Sequence, residues 1–321
     1  MEKVDISVNL CTYNRCEMLR DTLNSLLHQQ TEGEFLYEIV IVDDGSTDET
    51  PLLVQDIIEH SCIPIRYFRE ERVGVAAARN RGIRESRGEW IAFIDDDETA
   101  EPNWLYVLKT TASANRADCV GGGLRLTILD GTDNSIAESV RKQFCETVPL
   151  GWFQRRFTYS GPGTGNVLVR SILFERIGLF DGSLTIVGED QDFFRRARQA
   201  GCKIVFAPSA LVHHFIPSSR LLPHHILGLA QRHGKSLAFF DCREWGFLKA
   251  GFICGLRIGH VILRGATIVP KYIVKHDRSS LFGLKCSIYT TVAYYKEMSS
   301  LVRKSVFGGT WRFLLRCHGL R

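Results

Sequence analysis

The sequence of 321 residues lacks several features that would place it in a special class of protein. Its ten cysteines form no CxxC pair and no zinc-like spacing, which favours a reduced, cytosolic protein. It has no low-complexity tract and no internal repeat, which argues against a disordered or repeat protein. The first residues, MEKVDISVNL, carry acids and lead directly into a strand, so we expect neither a signal peptide nor a transit peptide.

A strong excess of one charge is also missing. The formal net charge is only +4, so nucleic acid is not among the expected partners. The acids lie mainly before residue 200 and the bases become prominent after it, which indicates an anionic surface as a partner of the C-terminal part. The length predicts one large domain with an appendage, or two domains.

Apolar runs alternate with helical patterns over the first hundred residues. The runs lie at residues 6–11, 38–42, 65–68 and 90–94, and the intervening stretches carry leucines or alanines at helical spacing. This alternation predicts an α/β protein, a Rossmann-like three-layer sandwich with a mainly parallel sheet.

Acidic residues follow two of these runs. Asp44 comes after the second, and residues 95–98, Asp-Asp-Asp-Glu, come after the fourth. Ligands of such proteins bind outside the carboxyl ends of the strands, so the second cluster can hold a hard cation and, through it, a phosphate. The alternative is a solvated acidic turn, which is the usual explanation of a charge run.

Six short motifs then follow one another along the chain: CTYNR (11–15), VDDGS (42–46), ARNRG (78–82), IDDD (94–97), GTGN (163–166) and GED (188–190). In this order they resemble the family-2 glycosyltransferases of the GT-A fold. The resemblance implies a nucleotide-sugar-binding catalytic domain at residues 1–220. It also implies an inverting, metal-dependent transferase of hexosyltransferase type, which moves one sugar from a nucleotide-diphosphate donor to an acceptor hydroxyl.

The resemblance also implies roles for individual residues. Asp44 would contact the nucleotide base, and Arg79 would lie near the diphosphate or pair with a glutamate of a helix face. Asp95 would face the ribose or the metal, and Asp97 would bind Mg²⁺ or Mn²⁺. The implied substrate-binding set is Thr12, Asn14, Asp44, Arg79, Asp95, Gly165 and Asn166.

The same motifs supply catalytic candidates. Asp190 corresponds to the base that deprotonates the acceptor hydroxyl, and Glu189 would support it. His213 or His214 could add a metal or phosphate contact, and His213 is taken as the metal candidate, although a histidine beside an apolar strand is more often packed. His213 and His214 would point to opposite faces of a strand.

Two sequence elements that related enzymes carry are absent here, and their absence restricts the activities that we expect. Processive synthases of the family carry a QxxRW element, but Gln231 is followed by Arg-His-Gly-Lys, which favours transfer of single sugars. Residues 11–15 contain no glycine, which argues against a nucleotidylyltransferase. Transfer to a polyprenyl phosphate and a non-catalytic membrane-surface scaffold stay open as alternatives.

Residues 221–321 are expected to form a basic, amphipathic helical region. Cations interrupt its apolar stretches, so no run reaches the roughly 18 apolar residues of a membrane span. At about 100° per residue they fall within a stripe about 80° wide, which suits anionic lipid headgroups; the stripe consists of Lys249, Arg257, His260, Arg264 and Lys271. The alternative is a helical layer docked on the α/β core.

These patterns together predict a cytoplasmic enzyme that lies peripherally on the inner face of the cell membrane. Its partners would be a nucleotide-diphosphate sugar, a glycan or lipid-linked acceptor and an anionic membrane surface, as in cell-envelope glycan or glycolipid assembly.

Overall fold

The computed structural model describes residues 4–129, 138–144, 146, 161–184, 188–276 and 278–307. The chain divides into two compact units: one combines residues 1–127 with 159–216, and the other combines residues 128–158 with 217–321. The second unit therefore takes in residues 128–158 in addition to the helical region expected from residue 221 onward.

The described residues alternate strands and helices up to residue 216. The strands are β1 (Ile6–Thr12), β2 (Tyr37–Asp43), β3 (Ile65–Arg69), β4 (Trp90–Asp95), β5 (Glu98–Ala100), β6 (Cys119–Ile128), β7 (Asn166–Arg170) and β8 (Ile204–Ile216). The helices are α1 (Cys16–Leu27), α2 (Thr50–His60), α3 (Val75–Glu85), α4 (Trp104–Asn115), α5 (Glu138–Arg141), α6 (Ile172–Ile177), α7 (Glu189–Gln199), α8 (Pro223–Lys275) and α9 (Arg278–Phe307), with short 3-10 turns at Lys142–Phe144 and Ser218–Leu221.

One eight-stranded sheet organises the first unit, in the order β3-β2-β1-β4-β7-β6-β8-β5. Strands β3, β2, β1 and β4 are parallel. Antiparallel pairing then joins β4 to β7, β6 to β7 and β5 to β8. The predicted α/β class is confirmed, and the sheet is mixed because its second half is antiparallel.

Burial explains why the first half of the sheet reads as continuous apolar runs. All seven residues of β2 are buried, and so are six of the seven in β1, as expected for parallel strands covered on both faces. Leu19, Leu23 and Leu26 of α1 are fully buried in the same core. The carboxyl ends of β1, β2 and β4 thus form one edge, where the predicted site residues stand.

The bounds of two elements position residues of the site. Helix α1 begins at Cys16, after Asn14, whose φ of 50° is not helical. Strand β8 extends from Ile204 to Ile216 and therefore contains both His213 and His214. Its end pairs with β5, which places Glu98 opposite His214.

The described part of the second unit is mainly two long helices. Helix α8 is broken at Gly246, whose φ of 76° and ψ of 168° are not helical, and α9 packs along it. By length and composition, α8 can cross a membrane: an 18-residue window within residues 223–274 has a mean hydropathy of 1.5 and is 11 % buried. The prediction that cations leave no segment of this kind is therefore wrong.

Candidate active site

The strand-end acids of β4 form a compact cluster with Arg15. The Arg15 Nη1 atom donates to Asp96 Oδ1 and to Asp97 Oδ2, each at 2.7 Å. Asp96 and Asp97 are both buried. Burial raises the pKa of Asp96 to about 6, although the charge of Arg15 opposes this rise. The acids are therefore buried and held in place by Arg15, and they do not form a solvated turn.

Glu98 connects this cluster to His214. Its Oε1 atom lies 3.4 Å from His214 Nδ1, and its Oε2 atom accepts the Asp95 N–H at 3.2 Å. Burial raises the pKa of Glu98 to about 8. Burial alone would lower the pKa of His214, but the hydrogen bond to Glu98 raises it above its ordinary value. The pair lies beside Asp97, whose Oδ1 is 3.9 Å from His214 Nδ1.

His213, the predicted metal candidate, points elsewhere. Its Nε2 atom lies 2.7 Å from Glu101 Oε1. Adjacent residues of β8 face opposite sides of the sheet, so the structure brings His214, and not His213, beside Asp97.

The donor set at this edge fits a hard divalent cation. Among the residues that the structure describes, no group of three or more His, Cys, Asp or Glu side chains is gathered as a complete metal cage. Mg²⁺ is usually bound by one or two carboxylates together with substrate phosphates, so a complete protein cage is not required. The Nε2 atom of His214 is buried and has no hydrogen-bond partner. Asp97 Oδ1 is the carboxylate oxygen that Arg15 leaves unengaged.

Arg79 bridges two predicted site residues that lie far apart in the sequence. Its Nη1 atom donates to Glu189 Oε1 at 2.7 Å, and its Nη2 atom donates to Asp95 Oδ1 at 2.9 Å. The guanidinium is buried, so both bonds are made away from bulk water. Helix α3 thereby ties the carboxyl end of β4 to the first turn of α7.

Asp190 lies in that first turn, which begins after Gly188 with a φ of 118°. The Gln191 N–H donates to Asp190 Oδ1 at 2.7 Å. The other oxygen, Oδ2, lies 3.8 Å from the position that a Cβ atom at Gly163 would occupy, so Asp190 stands beside the GTGN turn. Burial, with the charge of Glu189 as the next cause, raises the pKa of Asp190 to about 6.

Asp44, Asn14 and Thr12 of the predicted substrate-binding set lie at or just after the ends of β1 and β2. Asp44 Oδ1 accepts the Val73 N–H at 2.6 Å and the Gly74 N–H at 3.1 Å, which holds the loop before α3. Asn14 Oδ1 accepts the Thr47 N–H at 2.7 Å. Thr12 is buried at the end of β1. The contact of Asp44 with a base, and of Thr12 and Asn14 with the substrate, stays a prediction.

Asn166 and Gly165 have clear packing roles. The Asn166 amide donates to the carbonyls of Gly123 and Ala210, each at 2.8 Å, and its Oδ1 accepts from Trp104 Nε1 at 2.8 Å. A Cβ atom at Gly165 would lie 2.7 Å from Glu98 Oε1. The absence of a side chain at Gly165 therefore gives Glu98 the space it occupies.

The structure thus gathers an acid cluster, a buried imidazole and a carboxylate of raised pKa at one edge of an α/β sheet. The chain belongs to Glycosyl transferase family 2, whose sequence profile matches residues 7–177, somewhat more than half of its length. It is a glycosyltransferase by this membership.

Named relatives support the assignment. The chain is 30 % identical to the succinoglycan biosynthesis protein ExoM of Rhizobium meliloti (strain 1021), over 74 % of this chain and 76 % of that protein. It is 29 % identical to the glycosyltransferase AglE of Haloferax volcanii, over 65 % of this chain and 66 % of that protein.

Two solved structures have a fold similar to that of this chain. S. aureus TarS 1–349 in complex with UDP has a TM-score of 0.51 at 19 % identity, covering 95 % of this chain and 93 % of that one. GalNAc-T7 with UDP, GalNAc and Mn²⁺ has a TM-score of 0.51 at 22 % identity, covering 66 % and 44 %. The predicted GT-A fold is confirmed.

Three residues of the site were not selected from the sequence. Arg15 stood inside the CTYNR motif, and its charge next to a strand end was a usable signal. Glu98 was counted only as part of an acidic run. His214 was considered together with His213, but no local signal favoured it, because its position depends on the pairing of β5 with β8, more than a hundred residues apart.

Proposed function

We propose that this family-2 transferase moves a single sugar, with inversion, from a nucleotide-diphosphate donor to an acceptor hydroxyl. The observation that carries the proposal is the chain of contacts from Asp95 through Arg79 to Glu189, which holds Asp190 at the same sheet edge as the acid cluster. A donor site and a general base are thereby held by one set of ion pairs.

In this mechanism Asp190 Oδ2 takes the proton of the acceptor hydroxyl. The acceptor oxygen attacks the anomeric carbon, the bond from that carbon to the diphosphate breaks, and the nucleoside diphosphate leaves with the electron pair. Asp97 and His214 would hold a Mg²⁺ or Mn²⁺ ion, which when bound supplies positive charge to the leaving diphosphate. Glu98 orients His214 through Nδ1, as carboxylates commonly do for metal-binding histidines.

Turnover of nucleotide sugars by the purified full-length chain tests this proposal. Donor consumption would be followed as release of nucleoside diphosphate, across a panel of nucleotide sugars with Mn²⁺. We expect Asp97→Ala and Asp190→Ala to lose most activity, by about 10²-fold or more for the base. Glu101→Ala is the matched control, because Glu101 pairs with His213 away from Asp97. Normal turnover in both Asp variants would refute the site assignment.

Two rival functions give different results in the same experiments. If the acceptor is a polyprenyl phosphate, it is already anionic and needs no base, so Asp190→Asn would reduce the rate only mildly. If the chain is a non-catalytic scaffold, calorimetry with UDP and Mn²⁺ would detect no binding. The buried ion pairs around Asp190 favour the enzyme, because a scaffold has no use for a carboxylate of raised pKa.

The cellular role that we propose is the assembly of a cell-envelope polysaccharide or glycolipid, with a glycan or lipid-linked acceptor at the cytoplasmic face of the membrane. The succinoglycan protein among the relatives supports this role. The long apolar helix α8 supports association with a membrane.

A further inference from the structure

One face of α8 beyond the break at Gly246 consists of exposed apolar side chains. Leu248 is 94 % exposed, Phe252 64 % and Ile262 65 %, and the face continues to Ile273 and Val274. Projected at about 100° per residue, no charged residue of the segment falls in this sector. The face runs along the whole segment, so it is much larger than the scattered apolar residues that are normal on a soluble surface.

Two cations of the basic stripe that was expected to meet lipid headgroups, Arg257 and Arg264, face protein instead. The side chain of Arg257 is 10 % exposed, lies 3.7 Å from Asp241 Oδ2 and sits 4.9 Å above the ring of Tyr294. Arg264 donates to Ser287 Oγ of α9 at 3.0 Å. The middle of the basic stripe is thus used to join α8 to α9, which leaves the apolar side of the helix outermost.

Cations accompany exposed or grooved apolar surface at two places in the described part of the second unit. Exposed Lys249, at the start of the segment, lies 5.2 Å from the ring centre of Trp245. A groove of about 390 Å³ on α9 combines four apolar side chains with two cations; its lining is Leu281, Phe282, Leu284, Ile288, Arg278 and Lys285. Apolar surface bordered by an aromatic ring and by cations is complementary to acyl chains and anionic headgroups.

A lipid layer fits this face better than a protein partner does. Protein interfaces surround their apolar centre with a polar rim and form about one hydrogen bond per 100–200 Å². This sector offers small and apolar side chains only. Its Gly251, Gly255 and Gly259 have nothing within 4 Å of an added Cβ atom among the described residues, so none of the three lies at a close helix–helix contact there.

We infer that the apolar face of residues 247–274 inserts into the hydrocarbon layer of a membrane, and that electrostatic adsorption through the basic stripe is not the mode of attachment. The inference concerns the second unit alone and does not depend on the proposed reaction.

Flotation of the full-length protein with vesicles tests this inference. Wild-type protein should float with neutral phosphatidylcholine vesicles, and 1 M NaCl should reduce the bound fraction by no more than about twofold, because apolar insertion is not screened by salt. Leu248→Ser combined with Ile262→Ser should lower the partition coefficient by at least about tenfold. Leu36→Ser combined with Leu52→Ser is the matched control, since both are exposed leucines of the first unit.

Hydrogen exchange of the unmodified protein supplies a second readout that does not require a variant to fold. Peptides from 247–263 should exchange more slowly when vesicles are present. Binding that requires anionic lipid and disappears in 1 M NaCl would overturn the inference in favour of surface adsorption. It would also be overturned by unchanged exchange in these peptides, or by a Leu248/Ile262 variant that floats like the control.

Discussion

Replacing Glu189 by glutamine should move the acid limb of the pH–rate profile to lower pH. The pKa of Asp190 is about 6, compared with an ordinary 3.8, and the charge of Glu189 is the second cause of the rise after burial. Glutamine keeps the shape of Glu189 but removes its charge. Arg79, whose charge lowers the pKa of Asp190, also loses its ion pair with Glu189. Both changes favour the ionised base.

The expected size follows from these partners. The total rise is about 2 pH units (6 − 3.8), burial is its largest cause, and Arg79 at 2.7 Å already compensates part of the Glu189 charge. We therefore expect Glu189→Gln to lower the pKa of Asp190 by about 0.5–1 unit, or about 0.7–1.4 kcal/mol. A base of pKa about 6 is roughly one-tenth ionised at pH 5. The ratio of kcat/KM at pH 5 to that at pH 8 should rise about three- to fivefold.

The assay is the initial rate of nucleoside diphosphate release between pH 5 and 9 at constant ionic strength. Glu101→Gln removes a carboxylate that pairs with His213, so its acid limb should coincide with that of the wild type. Asp190→Asn should abolish the limb together with most of the rate. An acid limb that stays in place or moves to higher pH in Glu189→Gln would refute the assignment of this limb to Asp190.

Other predictions compare pairs of nearby residues that make different contacts in the structure. Gly165→Ala should destabilise the protein by about 2 kcal/mol, since its Cβ would lie 2.7 Å from Glu98 Oε1, whereas Gly163→Ala should cost less than about 0.5 kcal/mol; thermal unfolding measures both, and equal losses would contradict the packing argument. His214→Ala should weaken Mn²⁺ binding at least about tenfold in calorimetry with saturating UDP, whereas His213→Ala should change it less than about twofold. The reverse order would restore His213 as the ligand.

The sequence was sufficient for the parallel half of the sheet because its strands are continuous apolar runs with acids at their ends. It was not sufficient for β5, which has three residues, or for the full length of β8. Which of two adjacent histidines faces the site depends on the register between those strands, and register is set by tertiary pairing and not by local pattern. Only the three-dimensional structure therefore shows that His214, and not His213, lies beside Asp97.

The helical region shows a similar limit. The sequence placed the cations of α8 within one stripe of the helix, because the 3.6-residue period fixes which residues share a face. It could not determine which face is outermost, since that depends on α9. Arg257 and Arg264 contact α9. The basic side of α8 therefore faces α9, and its apolar side faces outward, which is the reverse of the orientation expected for a basic stripe on lipid headgroups.

The charges of the site support the proposal that a divalent cation takes part in donor binding. A nucleotide diphosphate brings additional negative charge to an edge that already holds Asp95, Asp97 and Glu189. The buried guanidinium of Arg79 is shared between Asp95 and Glu189, and Arg15 is shared between Asp96 and Asp97. These two arginines compensate carboxylates of the protein itself. In the proposed function, a divalent cation held by Asp97 would supply the missing positive charge, so we expect chelation of divalent ions to weaken donor binding as well as turnover.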